Sequence, residues 1–173
     1  GVASKNGGNI WFGNYNKMDL SGGTISAGKS TANGGNIYLS GNGTLQMTGG
    51  VVRDGETPGH AGNIFSQNKD SIITISGGEV LNGKSGRDGG NIRTSQGQLT
   101  ITGGTFENTG AAVIENVADA ALVIENGSFT SSITNEGAFT IKGGAFDNTT
   151  GEAVITNVAD ATLVIEGGSF TSN

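Results

Sequence analysis

Two segments match the phosphate-loop pattern in full: Gly23-Thr-Ile-Ser-Ala-Gly-Lys-Ser30 and Gly78-Glu-Val-Leu-Asn-Gly-Lys-Ser85. The chemistry of such a loop needs a strand before it and a helix after it, whose free amides face the phosphates. No helical periodicity follows either segment. Both fall in one column of an internal repeat, and the unit between them has Gly50-Val-Val-Arg-Asp-Gly-Glu-Thr57 at the same place. The match is a by-product of that repeat, and nucleotide binding is not expected.

Acid–base chemistry is the second possibility. Asp54, Glu56 and Asp88 fall in neighbouring polar loops, with Arg53 and Arg87 nearby. Paired carboxylates of this kind could serve sugar hydrolysis or a calcium-dependent lyase reaction. No Asp-x-Asp cluster and no calcium-binding nonapeptide accompanies them, so solvated loop charges are the expectation. Asp119 and Asp160 take equivalent places in a duplicated unit and read as turn caps. With no cysteine, disulfides and thiolate metal sites are excluded, and the single histidine, His60, cannot build a histidine cluster or a Cys–His couple. No catalytic residue, metal site or cofactor is assigned. Thr74/Ser76 and Thr100/Thr102 suggest an ice-binding face, but the neighbouring units offer Asp19/Ser21, Gln46/Thr48 and Val123/Glu125, which break a flat lattice.

The remaining chemistry is carried by two columns of the repeat itself. One follows Gly7-Gly-Asn-Ile10, Gly34-Gly-Asn-Ile37, Ala61-Gly-Asn-Ile64 and Gly89-Gly-Asn-Ile92. It places Asn9, Asn36, Asn63 and Asn91 in a stack, where side-chain amides hydrogen-bond along the axis and satisfy a tight turn. The isoleucines point inward, continued by Ile114, Ile133 and Ile155, so the next residue points outward. That outward column reads Trp11, Tyr38, Phe65, Arg93, Glu115, Thr134 and Thr156. Trp11, Tyr38, Phe65 and Arg93 form the candidate ligand-binding ladder, an exposed aromatic row on which sugars or partner side chains could stack, with Arg93 adding a cation–π contact to Phe65.

The elements that position these residues follow from a fixed frame, apolar-x-apolar-x-Gly-Gly-x-apolar. It starts at Met18, Leu45, Ile73, Leu99, Leu122, Phe139 and Leu163, at intervals of 27, 28, 26, 23, 17 and 24 residues. Self-similarity at such periods marks a solenoid, and alternation of two marks short strands rather than helices. The expectation is an all-β, single-stranded parallel β-helix of about seven coils of 17–28 residues. The inward column beyond Gly-Gly reads Ile25, Val52, Val80, Phe106, Phe129, Phe146 and Phe170. Residues 1–173 read as one domain, with longer loop-bearing coils over 1–104 and shorter coils in a two-coil repeat over 105–173. The chain opens and closes within the pattern and reads as a fragment of a longer protein.

The Gly-Gly-Asn-Ile and Thr-Gly-Gly-Thr-Phe repeats resemble the right-handed parallel β-helix, the pectin-lyase-like fold, of bacterial surface proteins and adhesins. Thr31-Ala-Asn-Gly-Gly-Asn-Ile-Tyr38 is similar to the Gly-Gly-Ala-Ile repeat of the polymorphic outer-membrane autotransporter adhesins, with Asn in place of the family's Ala. The family's Phe-x-x-Asn appears as Phe106-Glu-Asn and Phe146-Asp-Asn. The resemblance implies right-handed coiling and an exported, surface-displayed passenger or stalk.

The expected function is a non-enzymatic cell-surface β-helix, an adhesin or stalk segment. The alternative is a carbohydrate-active β-helix or its sugar-binding portion, with an ice-binding solenoid as a minor reading. Expected partners are a glycan or a host or neighbour-cell surface protein, and further copies stacked end to end. A net charge of −6 argues against nucleic acid, and no apolar run is long enough to insert in a membrane.

Overall fold

The computed structural model describes residues 2–158 and 160–172; Gly1, Ala159 and Asn173 lie outside the described residues. All described regular structure is strand. No helix among the described residues is long and apolar enough to cross a membrane. Each coil contributes three strand stretches, and each pairs in parallel with its counterparts in the coils before and after. The chain is a β-solenoid in which seven rungs are stacked through about six turns.

The first stretch begins at the motif isoleucine: Ile10–Phe12, Ile37–Leu39, Ile64–Ser66, and onward to Ile155–Asn157. Its register is the expected one, Ile10↔Ile37↔Ile64↔Ile92↔Ile114↔Ile133↔Ile155. The second stretch runs Lys17–Leu20, Thr44–Met47, Ile72–Ile75 and on to Thr162–Ile165. In two coils the first and second stretches are continuous, as Ile92–Ile101 and Ile114–Ile124, which fuses both rows into one 12-stranded sheet. The third stretch, from Thr24–Ser26 to Ser169–Ser172, forms a separate 7-stranded sheet. Glu56–Thr57 and Lys84–Ser85 pair as a small sheet of their own, in the coils with long loops.

Alternation explains the core. Along Thr44–Met47 the side chains alternate, Leu45 and Met47 fully buried and Gln46 exposed. The same phase recurs in Ile73/Ile75, Leu99/Ile101, Leu122/Ile124 and Phe139/Ile141. The third sheet adds Val52, Val80, Phe106, Phe129 and Phe146 to the same cluster. Phe106, Phe129, Phe146 and Phe170 stack face to face with centroids 4.8, 4.8 and 4.9 Å apart. That spacing is the strand separation itself, so one ring per coil fills the corner with no gap. The mixed outward column Asp19, Gln46, Thr74, Thr100, Val123, Thr140 and Val164 is also in register.

Two features of the Gly-Gly-Asn-Ile motif have separate causes. Gly34 has φ 64°, and at Gly35 a Cβ would stand 2.2 Å from the carbonyl oxygen of Gly62 in the next coil. The first position needs left-handed backbone and the second needs contact between backbones. Ala61 takes the first position with φ 56°. The αL column Ala27, Asp54 and Asn82 (φ 54°, 55° and 52°) precedes the opposing turn.

Candidate functional site

The asparagine ladder forms as the spacing predicts. Asn9 Nδ2 donates to Asn36 Oδ1 at 2.7 Å, Asn36 to Asn63 at 2.7 Å, and Asn63 to Asn91 at 2.8 Å. The other amide hydrogens go to the carbonyls of Ser26, Arg53 and Leu81. The oxygens of Asn36, Asn63 and Asn91 also accept the backbone N–H of Gly28, Gly55 and Gly83. The ladder therefore ties the turn after the third strand to the start of the first. Every bond is internal, and nothing in it awaits a ligand.

A second ladder, absent from the sequence reading, continues in the shorter coils. Asn116 Nδ2 donates to Asn135 at 2.8 Å and Asn135 to Asn157 at 2.6 Å. These residues stand two places after the column isoleucine instead of one before it, so they occupy the opposite end of the same strand. The recurring Ile114-Glu-Asn, Ile133-Thr-Asn and Ile155-Thr-Asn was the available signal.

The aromatic column is in register, Trp11↔Tyr38↔Phe65↔Arg93, but it is not an exposed row. Trp11 is 58% exposed, whereas Tyr38 is 4% and Phe65 3% exposed. Tyr38 and Phe65 stack at 5.4 Å and form a small apolar cluster with Ala61, apart from the main core. The long-coil loops fold over them. Those loops are held to one another by backbone bonds, Gly34 N–H to His60 O and Ala61 N–H to Asp88 O, and by a side chain, Asn33 Oδ1 accepting from His60 N–H. The His60 ring then lies over Phe65, centroids 6.3 Å apart. The expected stacking surface at Tyr38 and Phe65 is thus a covered packing layer, and of the three rings only Trp11 faces solvent.

Arg93 is mostly covered too, and its guanidinium meets Glu115, the next residue in the column, rather than the Phe65 ring. Glu115, expected among the solvated outward residues, is 3% exposed. Burial raises its pKa to about 7, against the opposing pull of Arg93. His60 Nδ1 stands 3.5 Å from Asp88 Oδ2, and burial lowers the His60 pKa. The fold therefore gathers His60, Asp88, Arg93 and Glu115 from three successive coils.

The other loop acids go elsewhere. Arg53 pairs with the neighbouring Asp54 at 3.6 Å, and Lys29 with Glu56 at 2.6 Å. Glu125 pairs with Lys142 at 3.1 Å across one coil step. Asp160 sits at a turn (φ 68°), but Asp119 lies within the strand Ile114–Ile124, so the two are not equivalent turn caps. The phosphate-loop matches run through strands and a glycine turn, with no helix following.

Two concavities flank the His60–Glu115 cluster. One, of about 440 Å³, is lined by Thr31, Ala32, Asn33, Pro58, Gly59, His60 and Arg87. The other, of about 240 Å³, is lined by Arg87, Asp88, Gly89, Ala111, Ala112, Glu115, Thr134 and Glu136. Arg87 is shared, so together they make a polar trough along the loop side of the longer coils.

No known family model, characterised protein or solved structure matches the chain.

Proposed function

We propose that this chain is a non-enzymatic β-solenoid segment of a bacterial cell-surface protein, adhesin or stalk in type, whose long-coil loops present its recognition surface. The observation that carries this reading is the polar trough at Thr31, Asn33, Pro58, His60 and Arg87. It lies on the loops of three successive longer coils, whose side chains differ from coil to coil. The asparagine ladders, by contrast, are spent within the stack. A trough of hydroxyl, amide, imidazole and guanidinium groups suits the hydroxyls of a glycan or a polar loop of a partner protein. The net charge of −6 disfavours nucleic acid as the partner. The resemblance to surface β-helices adds the exported, cell-surface location.

Glycan and host-surface-protein arrays test this. Wild type is expected to bind, and Thr31→Ala with Arg87→Ala together to weaken binding at least tenfold with an unchanged far-ultraviolet spectrum. Both side chains are exposed, so the fold should tolerate the change. Binding that survives this pair but is lost in Trp11→Ala moves the recognition surface to the one exposed ring of the column. Polysaccharide cleavage by wild type that disappears in Glu115→Gln replaces the reading with the carbohydrate-active alternative.

A further inference from the structure

We propose that His60, Asp88 and Glu115 form a site for one divalent transition-metal cation of the zinc class, at the junction between the longer and shorter coils. One ligand atom from each residue can be chosen so that all lie within 4.8 Å of one another. The sequence excluded thiolate and multi-histidine sites, but not a mixed set of one imidazole and two carboxylates. These three residues are 28 and 27 apart along the chain and come together only because they sit on consecutive coils.

The cluster as it stands is incomplete. Glu115 Oε2 and His60 Nδ1 are buried atoms without a hydrogen bond. Arg93 Nε lies against Glu115 Oε2 as an ion pair, and it is the one charged partner this carboxylate has in the cluster. A carboxylate this deeply buried needs both charge and hydrogen-bond compensation. Arg93 supplies a single charge, against two carboxylates and an imidazole nitrogen gathered in one place. A cation among the three donors would supply the remainder and use the idle imidazole nitrogen as well.

The donor set selects the cation. Calcium takes six to eight oxygens, and an imidazole is a poor ligand for it. Zinc accepts nitrogen and oxygen together and is content with three protein ligands and a water. Tetrahedral zinc sets its donors about 3.3 Å apart, so the cluster must tighten by roughly 1–2 Å. Asp88 already stands 3.5 Å from His60 Nδ1, and its side chain, 62% exposed on a loop, is free to adjust. His60 is held by its stack on Phe65 and its backbone bonds, and Glu115 by its strand. Arg93 stays on as the outer partner that orients the Glu115 carboxylate, a role such ligands commonly need filled. The opposing charges nearby are Arg93 and Arg87, against Asp88, Glu115 and Glu136. Acids outnumber bases, which favours a cation. A bound ion would tie three successive coils together at one point.

The test uses the tag-free chain and zinc chloride alone, and so does not depend on the recognition reading. Titration calorimetry is expected to give one zinc ion per chain, with a raised melting temperature that the chelator EDTA reverses. Asp88→Asn and His60→Gln should each weaken zinc binding at least tenfold with unchanged far-ultraviolet spectra. Calcium chloride at the same concentration should leave the melting temperature where it was. Absence of a zinc response at millimolar concentration overturns the proposal. So does unchanged zinc affinity in either variant, or an equal response to calcium. Glu115→Gln is the third variant; should it fail to fold, the exposed Asp88 and the loop residue His60 still decide the matter.

Discussion

Glu115 and His60 pull the stability of the chain in opposite directions with pH. The Glu115 pKa is raised to about 7 by burial, so between the ordinary carboxylate value and about 7 the folded chain keeps a proton the unfolded chain has released. Stability from this group is therefore full at acid pH and is lost as pH rises through about 7. His60 is shifted down, by burial first and Arg93 second, so its contribution is lost as pH falls below 6.5. In metal-free buffer, Glu115→Gln is expected to flatten the decline in stability between about pH 5 and about pH 7, while costing stability overall by leaving Arg93 without its counter-charge. Urea denaturation at pH 5, 6, 7 and 8 measures this, and parallel pH profiles for the two proteins would refute it. A second change at this scale concerns Ala27, exposed and held at φ 54° at the place where the next coils have Asp54 and Asn82. Ala27→Asn should stabilise by up to about 1 kcal/mol, since asparagine tolerates left-handed backbone; a lower midpoint in urea would contradict it. The order Trp11, Tyr38, Phe65, Arg93 was legible in the sequence because register follows from period. Their exposure was not. Whether an outward ring meets water depends on loops that alternation does not place: His60 lies over Phe65, and Ala61 packs with both Phe65 and Tyr38. Only Ala61, standing where the other coils have glycine, hinted at an apolar cover. The Glu115 ion pair was illegible for the same reason: alternation places a side chain outside the core, but not outside the molecule.

At the scale of the element, ladders make the coils interdependent. Asn63 sits mid-ladder and satisfies four buried groups: Asn36 Nδ2, Gly55 N–H, Leu81 O and Asn91 Oδ1. Leaving buried polar groups unpaired costs about 1–3 kcal/mol each, and some will find water. Asn63→Ala should destabilise by at least about 3 kcal/mol, and Asn9→Ala, at the partly exposed ladder end, by about 1 kcal/mol. Equal losses in chemical denaturation would show that the ladder carries no special weight. The phenylalanine stack gives a parallel comparison. Phe129→Ala removes a fully buried ring between two others and should cost about 3–5 kcal/mol. Phe170 is 40% exposed with one ring neighbour, and Phe170→Ala should cost clearly less. The first ladder was readable because its asparagine keeps one place in a strict motif at spacings of 27, 27 and 28 residues. The second was not, because its spacings drop to 19 and 22 residues and its place moves to the other end of the strand.

At the scale of the whole molecule, the 173-residue segment taken by itself has end strands that pair on one side alone. On the last coil Val164, Ile165 and Phe170 are exposed beside the edge strands Thr162–Ile165 and Ser169–Ser172. Such an edge pairs readily with another chain. Sedimentation should show concentration-dependent association, and Ile165→Lys with Phe170→Lys should suppress it; a strict monomer at all concentrations would count against this. The direction of pairing has one more result. All ladders, backbone and asparagine alike, bond neighbouring coils to each other, so their bonds lie along the long axis. A load applied between the two ends therefore falls on these layers in series rather than side by side, and the weakest layer parts alone while the rest hold. Each parting pays out one coil of slack, about 90 Å for a 27-residue coil and about 60 Å for the 17-residue one. Under tension the molecule is a string of unequal shock absorbers, with the order of release set by which layer is least well joined.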